Sequence, residues 1–98
     1  MKLSISDSAF QDLENISKYY AEEGVPELGN RITEEIVTKL ERLIDHPDLG
    51  RVVPEFNLNH IRELIHPPFR LVYLREAKAI TIIRVWRSER ILLLPKSD

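Results

Sequence analysis

Three strand-length runs of β-branched and aromatic residues sit close together near the C-terminal end of this chain. They are Ile61-Arg62-Glu63-Leu64-Ile65, Phe69-Arg70-Leu71-Val72-Tyr73-Leu74 and Ile80-Thr81-Ile82-Ile83-Arg84-Val85-Trp86. Such residues fit a pleated, half-buried surface. The runs are parted by Pro67-Pro68 and by Glu76-Ala77-Lys78-Ala79. Proline cannot donate to a strand ladder, so the double proline marks a turn, and the economical arrangement is a three-stranded antiparallel meander. A sheet of this size needs something to cover one face, and the preceding residues supply it.

Leu3 and Ile5 alternate with Lys2, Ser4 and Ser6, which predicts a first strand over Lys2 to Ser6. Ser8 is then placed to cap a helix, with Gln11 at the capping-box position three residues on. Phe10, Leu13, Ile16 and Tyr20 recur at helical spacing and predict the buried stripe. Gly24 suits a left-handed helix end, and Pro26 suits the first turn of a second helix. That helix carries Leu28, Ile32, Ile36, Leu40, Leu43 and Ile44 on one side and Arg31, Glu34, Glu35, Lys39, Glu41 and Arg42 on the other. His46-Pro47 ends it, because the residue before proline is pushed out of the helical region. Asp48 to Arg51 reads as a turn and Val52 to Asn59 as a loop. The expected fold is α+β in the order β-α-α-β-β-β, a helical hairpin packed on a small antiparallel sheet.

With 98 residues, the chain suits one core, so residues 1–98 are expected to form a single domain. There is no cysteine, which removes disulfides and thiolate chemistry. The N-terminus has no apolar run of signal-peptide length and no stretch approaches a membrane span, so a cytosolic protein without membrane contact is expected. His46, His60 and His66 stand singly, without the spacing or nearby acids of a metal site, so neither metal nor cofactor is expected.

The net charge of -2 hides an asymmetry. Residues 1–59 hold six Lys/Arg and twelve Asp/Glu, whereas residues 60–98 hold eight and four. A basic strand region on an acidic domain points to a surface presented to something anionic. Arg62, Arg70, Arg84, Arg87 and Arg90 all come from the meander and its exit, and the planar guanidinium suits phosphate and carboxylate. The alternative for Arg62 and Arg70 is structural pairing with Glu63 and Glu76. Strand parity sets Arg84 and Arg87 on opposite faces. The apolar tail Ile91-Leu92-Leu93-Leu94 either packs back on the domain or awaits a partner.

The series A-F-x-D-L-x-x-I-x-x-Y-Y on the first helix, H-P-D-L-G-R-x-V-P-E after the second, I-R-E-L, F-R-L-V-Y and a closing V-W-R-S-E-R resembles the RelE/ParE toxin superfamily from Ala9 to Arg90. The resemblance implies a type II toxin–antitoxin role in which a cognate antitoxin wraps the toxin. It also implies one of two targets. RelE-like members cut messenger RNA on the ribosome; here Arg70 would match a phosphate-contacting arginine, and Glu55 could sit near the position of a carboxylate base. ParE-like members poison DNA gyrase. Where the cleaving members carry a late histidine or tyrosine, this chain has Arg87-Ser88-Glu89-Arg90, and a guanidinium is a poor proton donor. That favours the ParE-like branch, with Arg84, Arg87, Arg90 and Arg62 as target-binding residues and no bond-breaking chemistry. The remaining alternative is an inactive member that only binds its antitoxin. Antitoxin contacts are expected near Tyr19, Tyr20 and Trp86.

Overall fold

The computed structural model describes residues 1–87. The chain forms strand β1 (Lys2–Ile5), helix α1 (Asp7–Glu22), helix α2 (Pro26–Glu41) with a 3-10 turn at Arg42–Ile44, and strands β2 (Arg51–Val52), β3 (Ile61–His66), β4 (Phe69–Arg75) and β5 (Ala79–Arg87). The sheet order is β1-β5-β4-β3-β2. The meander β3-β4-β5 is antiparallel as its sequence implies, and a bulge interrupts the register between Val72 and Tyr73. Two additions lie at its flanks. β1 joins β5 in parallel, Lys2 opposite Ala79 through Ile5 opposite Ile82, and two-residue β2 joins β3.

The hairpin covers one face of the sheet. Ala9, Leu13, Ile16, Ile36, Leu40 and Leu43 pack with Leu64, Phe69, Leu71, Tyr73, Ile80, Ile82 and Val85 in one core. The buried stripe of α1 therefore starts at Ala9, which is fully buried, and Phe10 is 56% exposed, contrary to the expectation from the sequence. The helix is turned so that its smallest apolar residue takes the innermost position. Gly24 has a φ of +84°, and the Val25 amide reaches back to the Tyr20 carbonyl at 2.9 Å, closing α1. Pro26 follows at the start of α2. No helix among the described residues is long and apolar enough to cross a membrane.

The cap of α1 is Ser6 and not Ser8. The Ser6 amide donates to the Ile82 carbonyl at 2.9 Å, ending the β1–β5 ladder, while its hydroxyl accepts from the Ala9 amide at 3.1 Å and donates to the Ile83 carbonyl at 3.2 Å. One residue thus stops a strand and starts a helix. Gln11, expected in a capping box, instead donates to Asn15 at 3.2 Å. Ser6→Ala is expected to cost about 1–2 kcal/mol in urea unfolding, by loss of the cap and of the bond to Ile83. Ser8→Ala, on an exposed position, should change stability by less than about 0.5 kcal/mol.

Candidate functional site

The sheet register divides the arginines between two faces. Arg70 lies opposite Ile65 and Trp86, and Val72 lies opposite Glu63 and Arg84, so these residues share the face turned away from the hairpin. Arg62 is opposite Tyr73 and Arg87 is opposite Phe69, on the hairpin side. Arg62, Arg70, Arg84 and Arg87 therefore form no single cluster, and Arg84 and Arg87 take opposite faces as parity requires. Arg90 and the Ile91-Leu94 tail lie outside the described residues.

Arg70 is 3% exposed and lies between two carboxylates. Its Nε donates to Glu63 Oε1 at 2.6 Å, and its Nη1 and Nη2 donate to the two Glu55 oxygens at 2.6 and 2.8 Å. The second Glu63 oxygen accepts from Arg51 Nε at 2.8 Å. Glu63 and Arg70 are diagonal neighbours on one face, so the pairing of Arg70 with Glu63 is real. Arg62 does not pair with Glu63 or Glu76; it donates to the Asn59 and Gly50 carbonyls at 2.9 Å each. Bidentate charge-assisted bonds are the strongest available to a carboxylate. Those from Arg70 hold the Glu55 carboxyl below its ordinary value and push the Arg70 guanidinium up. A carboxylate so held is a weak base, and an arginine so buried offers little to an incoming phosphate.

A group whose folded-state pKa is depressed adds stability above its unfolded value and loses it as pH falls through the folded one. The Glu55 contribution is therefore expected to be complete above about pH 4.5 and to fade below it. Urea midpoints of the wild type and Glu55→Gln should differ at pH 7 and converge as pH falls from 4.5 toward 2. A gap that stays constant across that range would contradict the pairing.

Arg84 is also engaged. Its Nε and Nη2 donate to Asp12 at 2.8 and 3.0 Å, the same carboxylate accepts from the Val85 amide at 2.8 Å, and the guanidinium lies 5.2 Å from the Trp86 ring centroid. The bond to Asp12 pushes the Arg84 guanidinium up. Asp12 thus ties α1 to the stretch of β5 that runs on past β1. Arg87 stacks over Phe69 at 5.6 Å. Arg75, not singled out in the sequence, donates to Asp48 at 2.9 Å. Asp12 and Arg51 are likewise missed as parts of these networks, because their partners are distant in sequence and follow no period.

Of the three aromatic residues named for antitoxin contact, Tyr19 and Tyr20 adjoin and Trp86 lies apart from them. Tyr19 is exposed and meets Tyr20 edge-on at 5.0 Å. Tyr20 packs beside Gly29, where an added Cβ would lie 3.0 Å from the tyrosine Cβ. Trp86 is on the far side of the sheet. Among the described residues, no three His, Asp or Glu side chains converge as metal ligands would, and His66 Nε2 lies 3.4 Å from Glu35.

A strand, a helical hairpin and a mixed sheet in which β1 pairs with β5 make up the architecture of RelE/ParE-like toxins. The chain belongs to the ParE toxin family: the family model described as the ParE toxin of the type II toxin-antitoxin system, parDE, matches residues 3–92. Among solved structures, it is similar to a chain of the chromosomal ParDE toxin–antitoxin system from P. aeruginosa, with a TM-score of 0.75 and 25% identity over 89% of this chain and 95% of that one. No curated protein matches the sequence significantly.

Proposed function

We propose that this protein is the toxin of a type II toxin–antitoxin pair, that it acts in the cytoplasm on DNA gyrase by binding, and that a cognate antitoxin neutralises it. The observation that carries the choice of target is the mutual engagement of Arg70 and Glu55. Cleavage of RNA needs a base for the 2′-hydroxyl and a cation for charge building on phosphorus. The two residues matched to those roles are locked to each other, with Glu63 behind them. Family membership supports the toxin role, and the similarity to a ParDE system supports the antitoxin partner.

Contact with the target is assigned to Arg87 and Arg90. That assignment rests on the likeness of the closing V-W-R-S-E-R series to ParE-like members; Arg87 is itself engaged over Phe69, and Arg62 and Arg84 hold the loops and α1 in place. The toxin makes and breaks no bond in this scheme.

The test mixes the folded protein with gyrase, ATP and supercoiled plasmid, and looks for linear DNA after detergent and protease. Linear product is expected, suppressed by antitoxin and lost when Arg87 and Arg90 are both replaced by alanine, with thermal unfolding unchanged. Cut transcripts in a translating extract, abolished by Glu55→Gln, would replace this scheme with the ribosome-dependent one. Binding of antitoxin without either activity would identify an inactive member.

A further inference from the structure

We propose that the loop of residues 53–60 is an anchor for the antitoxin, inserting Phe56 and Leu58 into an apolar, acid-rimmed segment of that protein. The inference rests on the toxin–antitoxin role above and adds the surface that the antitoxin grips. Phe56 and Leu58 are each 46% exposed, and Ile65 on the neighbouring strand is 40% exposed. Isolated exposed apolar residues are ordinary, but these belong to a segment fixed at both ends and in the middle. The Val53 amide donates to the Ile61 carbonyl at 3.1 Å, the Asn57 amide to the Val53 carbonyl at 2.8 Å, and the Arg75 amide to the His60 carbonyl at 2.8 Å. Glu55, directly before Phe56, is clamped to Arg70 by two bonds. Asn57, between the two apolar residues, is held at a φ of +52°, a conformation that costs free energy outside glycine. Side chains displayed on so rigid a loop lose little entropy on binding, which is the property of interface anchors.

Charge selects the occupant. The one carboxylate of the loop, Glu55, is 31% exposed but has both oxygens taken by Arg70, whereas the Arg51 side chain is 60% exposed and, among the described residues, donates through Nε to Glu63. Beside the two apolar side chains the surface therefore offers a partly free Arg51 guanidinium and a carboxylate already neutralised by Arg70, which fits apolar residues flanked by acids. Position selects the antitoxin over the target. The loop flanks β3, two strands from β5, where contact with gyrase is assigned. A segment anchored at the loop and running across the helix-free face passes Trp86 to reach the end of β5, roughly 10 Å away. Neutralisation requires that reach.

The experiment measures binding of purified cognate antitoxin to the wild type, to Phe56→Ser/Leu58→Ser and to Tyr19→Ser by calorimetry, with unfolding curves confirming that each variant is folded. The double variant is expected to bind at least about 30-fold more weakly and Tyr19→Ser about as well as the wild type. The free double variant should still poison gyrase. An affinity within threefold of the wild type overturns the inference, as does loss of gyrase poisoning with antitoxin affinity retained. A wild type that binds antitoxin through the loop but spares gyrase upholds the anchor while refuting the assigned target.

Discussion

Arg70→Ala is expected to lower the stability of this protein by about 3–5 kcal/mol, a large share of the roughly 5–15 kcal/mol available to a domain of this size. The side chain of Glu63 is 0% exposed, and it is left with the partly exposed Arg51 as its only ionic partner once Arg70 is removed. Glu55 loses both its bonds and releases the loop that it pins. The melting temperature should fall by about 12 °C or more. Arg70→Met combined with Glu63→Met and Glu55→Gln should recover much of the loss, because removing both sides of a buried pair is far less costly than removing one. A single-variant loss under about 1 kcal/mol would show that the network is not structural. The consequence for function is practical: loss of toxicity in Arg70→Ala is no sign of catalysis unless the variant is shown to be folded.

The second large effect is at Gly50. A methyl group there would sit 2.6 Å from the Glu63 carbonyl oxygen and 2.7 and 2.8 Å from Cε1 and the hydroxyl of Tyr73. Neither neighbour can retreat. The carbonyl belongs to β3 inside the sheet, and the Tyr73 hydroxyl is held by its bonds to the Pro47 carbonyl at 2.9 Å and from the Gly50 amide at 3.0 Å. Burial of that hydroxyl pushes its pKa up, so it stays a donor at neutral pH. Gly50→Ala should cost about 3 kcal/mol, from overpacking and from weakened bonds to Tyr73. At Gly24, an added methyl group meets nothing within 4 Å and only the positive φ opposes it, so Gly24→Ala should cost about 1 kcal/mol. Equal urea midpoints for the two variants would refute the packing account.

Much of this architecture can be read locally. The periods of the two helices, the stop at His46-Pro47 and the three runs of the meander each follow from neighbours within a few residues. What escapes is decided at long range. On paper Ser8, with Gln11 three residues on, is the better cap, yet the choice falls to Ser6 because the Ile82 and Ile83 carbonyls, more than seventy residues away, bind it too. Phe10 is more hydrophobic than Ala9, yet close packing of the helix on the sheet admits only the smaller one. The arginines illustrate the same limit. Their composition announces an anion-facing surface, but Asp12, Glu55 and Glu63 answer Arg84 and Arg70 inside the molecule; the Glu63 pairing can be read from neighbouring strands, whereas no spacing along the chain reveals Asp12 or Glu55.

The parallel pairing of β1 with β5 also governs when the protein can exist. β5 lies between β1 and β4, so a growing chain that has not yet reached Ala79 has two bare sheet edges and no means of joining them. Assembly of the sheet therefore waits for the insertion of a keystone. A chain released before Ala79 has been added lacks the strand that joins β1 to β4, so the fold can form only once β5 has been made.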